Sequence, residues 1–133
     1  MKYFMNMLIN NGNYELIVTG DGSPSLRDLR GANLETMHHR GGAYSETQEI
    51  YGKLVRYCLE RQWFSFVSVG LGLGYNELLV AAEVLRAQIN PALITLRSFE
   101  PDNFLKEAFQ NFVLEAPQSS DIYYEVVANF EKD

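Results

Sequence analysis

Two short, mostly apolar runs, 3–9 and 14–19, are strand-like and are separated by Asn10-Asn11-Gly12-Asn13. Asparagine and glycine tolerate positive φ, so this pattern predicts an N-terminal β-hairpin. Gly20-Asp21-Gly22-Ser23-Pro24-Ser25 is dense in turn formers and predicts a loop that runs as far as Arg40-Gly41-Gly42-Ala43-Tyr44. Ser45-x-x-Gln48 reads as a capping box, and Ile50, Leu54, Val55, Cys58 and Leu59 then recur at helical spacing to about Arg61. A β-branched run from Trp63 to Val69 predicts a core strand, followed by a helix from Asn76 to Gln88 with Leu78, Leu79, Ala82, Leu85 and Ile89 inward. Asn90-Pro91 breaks that helix. Leu93 to Phe99 predicts a second strand, Glu100 ends it, and Pro101 suits the first turn of a helix to about Val113. Pro117-Gln118-Ser119-Ser120 is a turn, and Ile122 to Phe130 alternates loosely as a final strand. Strands alternating with helices imply a mainly parallel α/β sheet covered by helices on both faces.

The densest chemistry lies where the first core strand stops. Val69-Gly70-Leu71-Gly72-Leu73-Gly74-Tyr75-Asn76 joins a strand to a helix start through three glycines. Such a turn lets backbone N–H groups approach a ligand, and the helix N-terminus adds unpaired donors and partial positive charge. A tight βα turn without a ligand has the same composition. The spacing is G-x-G-x-G and not the dinucleotide fingerprint G-x-G-x-x-G. It resembles the S-adenosyl-L-methionine (SAM) loop of class I methyltransferases more than an NAD site. Glu100 falls 30 positions after Gly70, at the end of the next strand. A carboxylate there suits both hydroxyls of a ribose, or the dipole of the helix that follows, and Asp102 competes for the ribose role.

Charge and cysteine content narrow the classes. The 133 residues carry 11 basic and 17 acidic side chains, a formal charge of −6, so no bulk basic surface is available for phosphates. The single cysteine, Cys58, excludes an internal disulfide, suits a reducing cytoplasm and reads as core packing. No apolar run approaches the ~20 residues of a membrane span, and no signal peptide is predicted at Met1-Lys2-Tyr3-Phe4-Met5-Asn6. His38 and His39 lack a third ligand at recognisable spacing, so no metal site is assigned. Tyr44, Tyr51, Tyr57, Tyr123 and Tyr124 are assigned to core or interface packing.

Three separated segments, met in order, resemble the MnmC-type domain that methylates the aminomethyl group of wobble uridine in tRNA. Val18-Thr19-Gly20-Asp21-Gly22-Ser23-Pro24-Ser25-Leu26 is similar to that family's threonine, Asp-Gly-Ser and Thr-Leu pattern. Glu35-Thr36-Met37-His38-His39-Arg40-Gly41-Gly42-Ala43-Tyr44-Ser45-Glu46-Thr47 is similar to its Glu-x-Tyr-His-Ser-x-x-Gly-Ala-x-x-Glu-Ser segment. The glycine loop is close to its Gly-Phe-Gly-x-Gly-x-Asn, and Glu100 falls at its ribose-binding acid. His39, Met37 and Leu71 depart from the family's serine, aromatic and phenylalanine. The family's later Asp-x-Phe-x-Pro-x-x-Asn-Pro-x-x-Trp-like segment has no counterpart here, so the acceptor side is not represented.

The resemblance implies a Rossmann-like class I methyltransferase fold, incomplete in its C-terminal half. It further implies one domain over 1–133, with the hairpin and loop in 1–44 and a partial core in 45–133. SAM is the implied cofactor, held by Gly70, Gly72, Gly74, Tyr75, Asn76 and Glu100, with the loop from His38 to Glu46 closing over its methionyl end. No catalytic residue is assigned. Arg27, Arg30 and Arg40 with His38 and His39 form only a small basic cluster, so tRNA binding by this chain is expected to be weak or nil. An alternative of a different class is a non-catalytic module on half a Rossmann fold, self-associating or pairing with a missing half through apolar surface such as that of Ile122 to Phe130.

Overall fold

A computed structural model describes residues 12–107. Strand β1 (Tyr14–Val18) pairs antiparallel with β2 (Pro24–Asp28), with Leu16 opposite Leu26. The five residues between them close a turn in which Thr19 N–H donates to the Ser23 carbonyl at 2.9 Å. The strand at 24–28 corrects the expectation of a loop there, whereas the expected pairing of 14–19 with 3–9 falls on a segment outside the described residues. The reason lies in the burial of β2. Ser25 and Leu26 are both fully buried, so the strand shows no in–out alternation. Its second edge is also occupied: Asp28 N–H donates to Glu35 O and Met37 N–H to Leu26 O.

Helix α1 (Ala43–Thr47) passes through a π turn (Gln48–Gly52) into α2 (Lys53–Glu60). The buried positions are Ala43, Thr47, Gly52, Val55 and Leu59, with a five-residue step across the π turn. That extra residue rotates the inward face, so Ile50 and Leu54, expected inside, stand exposed. The helix also begins two residues before the expected Ser45 cap, for a reason given below. Cys58 is half-buried on α2.

Strands β3 (Ser65–Val69) and β4 (Thr95–Phe99) are parallel, with Val69 opposite Phe99. They are connected by α3 (Tyr75–Arg86) and a short 3-10 turn (Pro91–Leu93) that the Asn90 side chain caps. The expected core helix and strand pair are thus present. α3 is the hub of the molecule. Leu78 and Ala82 pack with Tyr14, Leu26 and Ala43 on the hairpin side. Leu79, Val80 and Val84 pack with Val55, Leu59, Phe66 and Leu96 on the sheet side. Burial on two sides replaces the single inward stripe read from sequence; Leu85 and Ile89 lie at its margin.

Among the described residues helices cover one face of the β3–β4 pair, and Val67, Val69 and Phe99 on the other are 69, 81 and 59 % exposed. The expectation of helices on both faces is therefore not met within 12–107. Asp102, not Pro101, opens the helical turn at 103–107: its Oδ1 accepts Phe104 N–H at 2.9 Å. The rest of that helix and the expected strand at 122–130 lie outside the described residues. No helix among those described is long and apolar enough to cross a membrane.

Candidate functional site

The parallel pair and the glycine loop build one end of a cleft. Gly70 N–H donates to Phe99 O at 2.8 Å, carrying the ladder one step past the strands. The chain then turns through Gly70, Gly72 and Gly74 at φ of +83°, +53° and +76°, angles costly for any residue with a Cβ. Gly74 is the residue before α3, its N–H closing a turn on Leu71 O at 2.7 Å. Glu100 locks this loop to the end of β4. Its Oε2 accepts Gly72 N–H at 3.1 Å, and its Oε1 accepts Asp102 N–H at 3.0 Å. Each oxygen of an ionised carboxylate keeps a further lone pair, so Glu100 is oriented without being used up.

Met37 and His38 form the opposite wall, bounding a cleft of about 280 Å³ with Gly70, Leu71, Gly72, Tyr75, Asn76 and Glu100. The wall is hung on β2. Ser25 Oγ lies 2.9 Å from His38 Nδ1, and the Tyr75 hydroxyl donates to Pro24 O at 2.6 Å. The Tyr75 ring, itself buried, meets the His38 imidazole edge-on at 5.0 Å. Burial lowers the His38 pKa below its ordinary value and the nearby Glu46 opposes the shift in part, so the ring is neutral at pH 7.

Beyond this wall, a polar knot ties the 19–23 turn to the start of α1. The first three N–H groups of α1 would be unpaired, and each finds a side chain from that turn. Ala43 N–H donates to Thr19 Oγ1 at 3.0 Å, Tyr44 N–H to Ser23 Oγ at 3.0 Å and Ser45 N–H to Asp21 Oδ2 at 2.8 Å. Ser45 Oγ donates to the same oxygen at 2.7 Å, while Thr19 and Ser23 hydroxyls and Ser23 N–H converge on Asp21 Oδ1. Burial pushes the Asp21 carboxyl up, but the bonds from Ser23 and Ser45 outweigh it and hold it well below the usual carboxylate range. The cap of α1 therefore comes from 21 to 24 residues upstream. Ser45 is a donor inside the helix, which corrects the capping-box reading, and Gln48 bonds to the Tyr44 hydroxyl instead.

Six of the residues expected from sequence, Gly70, Gly72, Tyr75, Asn76, Glu100 and His38, meet around the one cleft. Gly74 sits behind it as the residue before α3, and Glu46 lines a neighbouring hollow with His39, Gly42 and Glu49, its Oε2 accepting His39 N–H at 2.9 Å. Asp102 is otherwise engaged: besides capping the turn it accepts the Tyr14 hydroxyl at 2.6 Å and faces Arg30 at 3.4 Å. Arg30 also pairs with Asp28 and Arg27 with Glu15, so two of the three arginines of the basic cluster are neutralised. His39 Nδ1 accepts Gly41 N–H. No group of three or more potential metal ligands exists among the described residues. Sequence reasoning missed Ser25 and the role of Asp21; buried polar residues in a turn-rich stretch carry no periodic signal, and only the run Thr19-x-Asp21-x-Ser23 could have hinted at a distant cap.

No family model matches the chain, and no curated protein matches it. Among solved structures it is similar to the crystal structure of MnmC2 from Aquifex aeolicus, with a TM-score of 0.52 and 24 % identity. The match covers 83 % of this chain and 39 % of that one, so the chain spans well under half of its structural neighbour. The likeness shows an MnmC-like mixed α/β fold containing a parallel strand pair.

Proposed function

We propose that this chain binds SAM as the cofactor module of an MnmC-like methyltransferase acting on tRNA. The observation that carries the reading is the charge balance of the cleft. Its wall holds one carboxylate, Glu100, tied to the glycine loop, and no lysine or arginine among the described residues. A dinucleotide brings a doubly charged pyrophosphate and needs cations or many free N–H donors. A sulfonium ligand with an amino-acid end is cationic overall and suits an anionic cleft. The glycine loop adds room, since a Cβ on Gly72 would stand 3.6 Å from Met37 Sδ across the cleft.

In this reading Glu100 accepts the ribose hydroxyls, Gly70 and Gly72 leave the backbone open to the ligand, and Asn76 and His38 supply polar contacts. Bound SAM supplies an electrophilic methyl group. These residues orient the ligand and exclude water; the group that takes up the acceptor amine's proton is not assigned to them. The chain then works as one domain, in the cytoplasm, and supplies the cofactor side of methyl transfer. Calorimetry with S-adenosylhomocysteine tests the reading. Glu100→Ala should weaken binding by about tenfold or more. Folded wild-type chain that takes up none at millimolar ligand would overturn it.

A second reading rests on the open face of β3–β4. Val67, Val69 and Phe99 form an apolar surface of the kind that association covers, which fits a self-pairing module with or without cofactor. Light scattering separates the two: a clean monomer at high micromolar concentration removes this second reading and leaves the first untouched.

A further inference from the structure

The helical segment 43–60 carries apolar side chains on two faces, and the described residues cover one of them. Val55 and Leu59 turn inward to α3. On the outer side Ile50, Leu54 and Tyr57 are 56, 57 and 44 % exposed. Trp63, 56 % exposed, meets the Tyr57 ring edge-on at 6.0 Å, and the Arg61 guanidinium lies 3.5 Å from the centre of that ring. Ile50, Leu54, Tyr57 and Arg61 follow one another at steps of four, three and four residues. That is the spacing of a helix–helix seam, in which each side chain fits between those of a facing helix. Single apolar residues on a surface need no explanation, but a row of large ones along one helix face marks an interaction site.

The charges beside the row select what faces it. Lys53 and Glu60 flank the seam on one side, seven residues apart, and neither makes an ion pair among the described residues. Two copies packed parallel would set Arg61 against Arg61 and leave Lys53 and Glu60 without an opposite charge. Two copies packed antiparallel about a two-fold axis set Leu54 against Tyr57 and Ile50 against Arg61. They also set Lys53 of each copy against Glu60 of the other, so the ion pair forms twice. The Arg61 methylenes then cover apolar surface while the charge reaches water, close to the Glu49 that precedes Ile50. We propose that the outer face of 50–61 is an interface with a second copy of this chain, the two helices antiparallel. It places self-association on α2 and not on the open face of β3–β4. It shares no residue with the cleft, so it is independent of cofactor binding.

Light scattering on the full chain should show a dimer at high micromolar concentration. Leu54→Glu puts a charge into the seam from both copies and should weaken the dimer by about a hundredfold or more. Val67→Glu, on the open strand face, should leave it unchanged. Lys53→Glu and Glu60→Lys should each weaken it by about tenfold, because each sets like charges against one another twice. Mixing those two variants should restore a dimer of about wild-type strength, since opposite charges again face each other at both positions. All three helix positions are exposed, so the fold survives these changes, and circular dichroism of each variant checks it. A wild-type chain that stays monomeric overturns the interface and leaves the row to a partner of another kind. A dimer broken by Val67→Glu and not by Leu54→Glu also overturns it, in favour of the strand face. A dimer that depends on Leu54 but is not restored by the mixture overturns the antiparallel arrangement.

Discussion

The chain contains two glycine-rich turns of equal length, 19–23 and 70–74, and they do opposite things. In the first, every polar side chain is turned inward onto protein: Thr19, Asp21 and Ser23 bind one another and the start of α1. Its surroundings are close-packed. A Cβ on Gly20 would stand 2.6 Å from the Gly41 carbonyl oxygen, and one on Gly42 would stand 2.5 Å from an Asp21 carboxylate oxygen. In the second turn the side chains are leucines, the backbone carries the positive φ angles, and a Cβ on Gly70 would meet nothing within 4 Å. A closed turn is a structural joint, whereas an open one that still has backbone to offer is where a ligand fits. Counting glycines does not separate them; where the polar groups point does.

Alanine substitution should break that symmetry most sharply. Gly42→Ala meets no backbone strain, because φ there is an extended 166°, but its methyl collides with the Asp21 carboxylate. We expect a loss of about 3 kcal/mol, read as a large drop in melting temperature. Gly70→Ala has open space and suffers only its positive φ, about 1 kcal/mol, while S-adenosylhomocysteine affinity falls. Equal melting temperatures for the two variants would show that the contrast between the turns is not real.

Asp21→Ala removes one shared acceptor of the knot and should cost about 2 kcal/mol. The pH dependence has a definite sign. Because the folded pKa is depressed, the contribution is present above the ordinary carboxylate value of about 4 and is lost as pH falls below it. The stability gap between wild type and Asp21→Ala should therefore narrow in acid denaturation series. A gap that stays constant down to about pH 2 would refute the assignment.

A smaller effect is expected at the clasp between the hairpin and the turn at 102. Burial, followed by the Asp102 carboxylate, pushes the Tyr14 hydroxyl up to about 12. A raised pKa gives stability that is present below about pH 10 and lost as pH rises toward 12. Tyr14→Phe should cost about 1 kcal/mol near neutrality and flatten the alkaline decline, as followed by circular dichroism. The smallest effect is reserved for nucleic acid. With Arg27 and Arg30 already paired, tRNA at about 100 mM salt should give no submicromolar gel shift. Replacing Arg30 should then alter stability through Asp28 and Asp102, not RNA affinity.

The glycine loop, the parallel strands on either side of it and the acid at the end of the second were legible in the chain because each has a local cause. β-branched runs favour strands, glycine alone accepts the positive φ angles, and a helix follows where apolar spacing changes. Their meeting in one cleft with His38 follows from contacts between residues far apart in sequence. Three matters were decided only by tertiary structure. The partner of β1 is β2, whose buried Ser25 and Leu26 erase the alternation that announces a strand. The start of α1 is set by Asp21 from outside the helix, so no local cap marks it. The state of His38 depends on Ser25, Tyr75 and Glu46, drawn from three separate elements. Local sequence determines what a segment can be, because backbone preferences and periodicity act over a few residues. Which polar groups end satisfied by protein, and which face a ligand, depends on burial, and burial exists only once distant segments have packed.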